Sequence, residues 1–202
     1  YLPPSRMILK EETVERFGYF KSIGITNLKE LQQQLSKKAK LEELSHVSCF
    51  SGDYLTILLR ELNSIIPKPH KIADFTDVSS ATAEKLSQLG INNTQKLYDN
   101  ALTRSDRQKL ADSAGIGYGE ILELTKLADL SRIKWVGVTF AQILFSVGAD
   151  TVEKVSNSEP SQLHLQINQL IKEKNLHKGQ IGLNDVRIII DSACELLNDI
   201  KY

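Results

Sequence analysis

The chain has little from which most kinds of active site are built. Its 202 residues hold two cysteines, one tryptophan and five prolines, and aromatics make up only 6%. Cys49 and Cys194 stand far apart in apolar, helix-like contexts. That excludes a disulfide framework and reads as two buried packing thiols in a reducing compartment. His46, His70, His164 and His177 share no ligand spacing with one another or with the cysteines, so no metal site is expected. Basic and acidic residues balance at 25 each, which leaves no global field toward nucleic acid or an anionic membrane. The longest apolar runs, Leu55–Leu59 and Ile188–Ile190, are far too short to span a bilayer. With no recognisable signal peptide, a cytoplasmic protein is expected.

Catalytic patterns are missing too. There is no Gly-x-Ser-x-Gly elbow, no phosphate-binding P-loop and no His-Glu-x-x-His. Gly115, Gly117 and Gly119 follow no strand and lack the spacing of a dinucleotide loop. Carboxylates abound, but on lysine-rich helical stretches where they read as solvated faces. No catalytic residue and no cofactor are expected, and the chain reads as non-enzymatic.

What is present is a repeat. Ser22-Ile23-Gly24-Ile25-Thr26-Asn27, Gln88-Leu89-Gly90-Ile91-Asn92-Asn93 and Ser146-Val147-Gly148-Ala149-Asp150-Thr151 share an apolar residue before a glycine and a capping residue three places after it. Moving the first third by 66 positions lays Phe20 on Leu86, Leu31 on Leu97, Leu44 on Leu110 and Leu58 on Leu124 without a gap. From the second copy to the third the offset is 58 at Gly90/Gly148 and 65 at Gly117/Gly182, which implies a seven-residue insertion around Ile167 to Lys178. The copies fall at residues 8–66, 67–128 and 129–202, with Pro67-Lys68-Pro69 as the first joint.

Apolar residues recur at helical spacing, as in Leu28, Leu31 and Leu35, and strand-like alternation is absent. Gly24, Gly90 and Gly148 suit the left-handed position that ends a helix. Asn27, Asn93 and Thr151 suit the cap that opens the next. The expectation is all-α, with about four short helices per copy.

Gly115-Ile116-Gly117 followed by Ile121 and Leu124 is an apolar–glycine turn leading straight into a helix. Trp135-Val136-Gly137 and Gln180-Ile181-Gly182 follow the same pattern with one glycine lost. On these turns, and on the run Leu130-Ser131-Arg132-Ile133-Lys134-Trp135-Val136-Gly137, the chain resembles the helix-hairpin-helix superfamily. Within it, the likeness is to a bacterial family of domains of unknown function built from paired hairpin units. The resemblance is best from Ile72 to Leu197 and implies tandem, SAM-like repeats. Many members of the superfamily bind DNA without sequence preference through the hairpin amides, and others pack only against protein.

Carried over, the resemblance makes Gly115, Gly117, Gly137 and Gly182 the candidate nucleic-acid-binding positions, for DNA or RNA held weakly and salt-sensitively. Arg104, Arg107, Lys109 and Lys178 would flank them, since each copy carries a basic cluster ahead of its second hairpin. Nucleic-acid backbone binding is therefore the expected activity, with a protein-interaction or scaffold module as the alternative, toward which several departures weigh. Glu120 follows the first turn and Asp185 the third, while Glu42, Glu43, Asp106, Asp112 and Glu173 interleave the basic clusters. Residues 8–66 and 67–128 each carry eight basic and eight acidic side chains, and residues 129–202 eight and nine. Trp135 occupies a place where the turn prefers glycine. Packing into the turn or core is the expected role; if exposed, it is an interface anchor.

Overall fold

The computed structural model describes residues 4–175 and 179–202. Among them it is all-helical, with twelve α-helices and no strand; a lone antiparallel bridge pairs Lys71 with Asn93. The chain divides into two compact units, Tyr1–Ile66 and Pro67–Tyr202.

The first unit follows a 3-10 turn, Pro4–Lys10, with α1 (Thr13–Ser22), α2 (Leu28–Leu35), α3 (Lys38–Ser45) and α4 (Gly52–Ile65). The second opens on a 3-10 turn, Ile72–Asp74. Then come α5 (Ser80–Gln88), α6 (Thr94–Asp99), α7 (Arg104–Ala114), α8 (Tyr118–Leu130), α9 (Val138–Ser146), α10 (Val152–Ser156), α11 (Pro160–Lys174) and α12 (Leu183–Cys194).

Three turns share one local solution. Gly24, Gly90 and Gly148 have φ of 83°, 80° and 86°, a region costly for any residue with a Cβ. After the first two, the amides of Ile25 and Ile91 reach back to the carbonyls of Phe20 and Leu86, closing the helix end. The side chains of Asn27, Asn93 and Thr151 then accept from the amides of Glu30, Lys96 and Lys154, each such cap contributing about 1 kcal/mol.

In the first unit Leu31, Leu35, Leu44, Leu55, Leu58 and Leu62 pack around a stack of Phe20, Phe50 and Tyr54. The unit ends at Ile66, one residue past α4, and the second begins at Pro67. The boundary expected at residue 128/129 falls inside α8. Ile121, Leu124 and Ala128 belong to one buried cluster of the second unit, and Leu127 and Leu130 to another. A helix buried on both faces is a shared wall, and Val78 also packs against both clusters. The chain therefore cannot part there, and residues 67–202 form a single unit.

The last six residues, 197–202, are not helical and are strapped across the second unit. Leu197 carbonyl accepts from Arg132, Lys201 amide donates to Leu102 carbonyl, and Lys201 carbonyl accepts from Arg107. Tyr98 and Tyr202 hydroxyls donate to Asp199 and Asp129, and Ile200 is buried. The two thiols do not match the expectation equally. Cys49 is buried among aromatics, but Cys194, the last residue of α12, is exposed.

Candidate interaction site

At the first hairpin of the second unit, Gly115 ends α7 in the left-handed region and Gly117 precedes α8 with no side-chain cap. The carbonyl of Gly115 accepts from Lys85 Nζ at 2.8 Å. Glu120, one turn into α8, accepts from the Thr82 hydroxyl at 2.5 Å. One basic and one acidic side chain thus border this turn, and neither is dedicated to an outside anion.

The later hairpins differ from each other. Gly137 precedes α9 without a side-chain cap. At Gly182 the amide is already taken, donating to the Asp185 carboxylate at 3.1 Å, and a Cβ on Gly182 would meet that oxygen at 3.0 Å. Ile181 is pinned as well: its amide donates to Asn168 Oδ1, and its carbonyl meets Asn168 Nδ2 and His164 Nε2, each at 3.0 Å. Internal partners occupy this turn, although Gly182 is exposed and Ile181 half-buried.

The basic residues do not form one face. Arg107 is only 1% exposed, so its expected place beside a phosphate is overturned. Its guanidinium is buried beside α7, donating to the carbonyls of Ala101 at 2.9 Å and Lys201 at 2.7 Å. Arg104 and Lys109 are exposed. Arg104 begins the helix that Gly115 ends, on the order of 15 Å from the hairpin at 1.5 Å rise per residue. Lys178 lies outside the described residues.

The structure does join the hairpins at Gly137 and Gly182. Between them opens a cavity of about 370 Å³ lined by Trp135, Phe140, Ile181, Asp185, Ile188 and Ile189. Trp135 is 64% exposed, which overturns a core role for it. It also takes φ 72°, in the left-handed region, at the position where the hairpin pattern has its first glycine. Lys134 Nζ lies 5.2 Å from the centroid of the indole. Among the described residues, no group of three or more His, Cys, Asp or Glu side chains is arranged to hold a metal ion. Nor is any helix there long and apolar enough to cross a membrane.

Residues 76–196 match the family described as Domain of unknown function (DUF4332). The chain belongs to that family. The match spans α5 to α12, including Trp135 and the cavity beside it, and stops short of the strap at residues 197–202. No curated protein and no solved structure matches the chain.

Sequence reasoning reached Trp135 and Asp185 but missed Phe140 and Ile188. Ile188-Ile189-Ile190 held a signal. Three successive residues subtend about 200° on a helix, so one of them has to leave a core face of ordinary width. Ile188 is the one, 40% exposed against the cavity.

Proposed function

We propose that the chain is a non-enzymatic helical repeat module whose second unit binds a protein partner. The observation that carries this is Trp135: a large aromatic, exposed in a strained backbone conformation, at the mouth of an apolar cavity. Such strain persists where surrounding structure or function demands it, and exposed indoles beside cavities are the commonest anchors of protein interfaces. The cavity lies within the size range of ligand clefts, about 300–1,000 Å³. The repeat supports the reading, because stacked helical units present extended binding surfaces. The test is capture of partners from the native extract by the intact chain and by Trp135→Ala, with helical content checked by circular dichroism. Loss of specific capture in a folded variant is expected. Unchanged capture sinks the assignment to this face.

Sequence-tolerant DNA or RNA backbone binding is the second reading, and one observation favours it. Gly117 and Gly137 have ordinary φ of −60° and −87°, and a Cβ at either would meet nothing within 4 Å. The fold does not require glycine there, whereas close approach of a phosphate to the α8 and α9 amides would. Fluorescence anisotropy with duplex DNA, single-stranded DNA and RNA decides the matter. Under the protein-binding reading no binding is expected even at about 50 mM salt, where phosphate contacts are strongest. Steeply salt-dependent binding, abolished by Arg104→Glu with Lys109→Glu, would reverse the order of the two readings. Arg107 has to stay out of that variant, because it is buried.

A further inference from the structure

The cavity between α9 and α12 has a chemistry of its own, and it specifies the partner within the protein-interaction reading on which this inference rests. Its walls are Trp135, Phe140, Ile181, Ile188 and Ile189, and among the described residues its one charged lining residue is Asp185. Among the described residues, no lysine or arginine lines it. Apolar walls with a single carboxylate match a side chain that has an aliphatic stem and a cationic head. We infer that the cavity takes an arginine or lysine side chain from a protein partner.

Two further observations point the same way. One Asp185 oxygen accepts from the Gly182 amide, which fixes the carboxylate at the first turn of α12. A carboxylate has about four acceptor sites, so capacity remains for an incoming donor. The indole already draws a cation: Lys134 lies 5.2 Å from its centroid while lining no part of the cavity. Aromatic faces attract ammonium and guanidinium groups through the ring quadrupole, more strongly as water is excluded. A guanidinium whose stem crosses Ile188 and Phe140 would meet the indole and the Asp185 carboxylate together. An acidic side chain or a phosphate would meet the same carboxylate as repulsion.

The direct test uses the full chain and blocked tripeptides, acetyl-Gly-Xaa-Gly-amide, with Xaa arginine, lysine, norleucine or glutamate. Trp135 is the only tryptophan, so its emission reports on this place alone; amide chemical shifts of Ile181 to Ile189 give a second readout. The arginine and lysine peptides should bind saturably in the millimolar range. Norleucine should bind at least fivefold more weakly, and glutamate should produce no saturable change. Asp185→Asn should weaken the arginine peptide at least fivefold and leave norleucine unchanged. Lys134→Ala, which removes the internal cation, should bind the arginine peptide at least as well as the parent chain. Equal affinity for norleucine and arginine, or indifference to Asp185→Asn, overturns the cationic assignment while leaving an apolar docking site. Absence of any shift over Ile181 to Ile189 overturns the cavity as a side-chain site. Dilution-dependent Trp135 emission without peptide would place a second copy there instead, which also overturns it. Failure of the broader interaction reading shows separately, as partner capture indifferent to Trp135→Ala.

Discussion

Each unit buries an arginine, and the pair shows how a small helical fold keeps its non-helical segments in place. Arg16 donates to the carbonyls of Cys49, Ile8 and Glu11 and lies 4.0 Å over the Tyr54 ring. Arg107 donates to the carbonyls of Ala101, Leu102 and Lys201 and lies 5.7 Å over the Tyr202 ring. In both cases the guanidinium fork clamps a segment outside the α-helices, the end of the 3-10 turn at residues 8–11 or the strap at 197–202. Five donors in a rigid plane suit that task, and an ammonium does not. The two differ in charge compensation. Arg16 has Glu12 at 3.1 Å, whereas Arg107 has no carboxylate at ion-pair distance among the described residues, and its Nε has no partner. Carbonyl dipoles and the face of the Tyr202 ring hold the second charge. Its burial depends more heavily on the strap staying down.

The largest expected effect comes from breaking these clamps. Arg107→Met should cost the second unit about 3 kcal/mol, because it strands buried carbonyls and frees the strap. Arg16→Met should cost the first unit less, about 2 kcal/mol, since removing Arg16 also relieves a paired carboxylate that can return to water. Trp135 emission follows unfolding of the second unit alone. Urea titration of Arg107→Met should therefore move the Trp135 transition, and Arg16→Met should leave it in place while shifting the ellipticity curve. If both variants lose the same stability, the contrast in charge compensation has no energetic content.

Alkaline pH probes the strap without mutation. Burial and the Asp199 acceptor raise Tyr98 to about 12, and burial together with Asp129 pushes Tyr202 upward as well. Between the ordinary value near 10 and the raised one, the unfolded chain has lost a proton that the folded chain keeps. Stability from these groups is then complete below pH 10 and falls as pH rises from 10 to 12. The loss at Tyr98 is up to about 3 kcal/mol. Burial raises Tyr54 in the first unit too, opposed by the Arg16 charge as Arg132 and Arg107 oppose the rises at Tyr98 and Tyr202. It is one group there, however, against two in the second unit. The second unit should accordingly be the more alkali-sensitive, as judged by Trp135 emission against whole-chain ellipticity. In Tyr98→Phe with Tyr202→Phe, that difference should shrink.

Much of the architecture was legible because its determinants are local. A glycine at the end of one helix and an Asn or Thr cap three residues later are adjacent in sequence, and Gly24/Asn27, Gly90/Asn93 and Gly148/Thr151 fold as read. Pro67 marks its joint for the same reason. Arg107 was not legible. It stands in the charged run Arg104-Ser105-Asp106-Arg107-Gln108-Lys109, and its decisive partner, the Lys201 carbonyl, lies 94 residues away. The second boundary failed because helical spacing cannot show that both faces of α8 are covered. Of the candidate site, the hairpin at Trp135 could be located from local pattern. Its pairing with the hairpin at Gly182 across a cavity is tertiary and left no mark in either segment.

The smallest effect bears most closely on function. Both units hold a non-glycine residue in the left-handed region near an irregular segment, Glu12 at φ 48° and Trp135 at φ 72°. Placing an L side chain there costs about 1–2 kcal/mol, and glycine removes that cost while losing about 0.5–1 kcal/mol to its freer unfolded state. Glu12→Gly also gives up the ion pair with Arg16, so its net change should be near zero or destabilising. Trp135→Gly gives up little burial, since the indole is largely in solvent, and should stabilise the second unit by about 0.5 kcal/mol. Thermal unfolding followed by ellipticity, with Tm compared between the parent chain and each variant, measures both. A rise in Tm for Trp135→Gly together with loss of partner capture would mean that the indole is kept for contact at some expense of stability. A clear fall in Tm would instead assign Trp135 a packing role in its own turn, and the case for an interface at this hairpin would lose its main support.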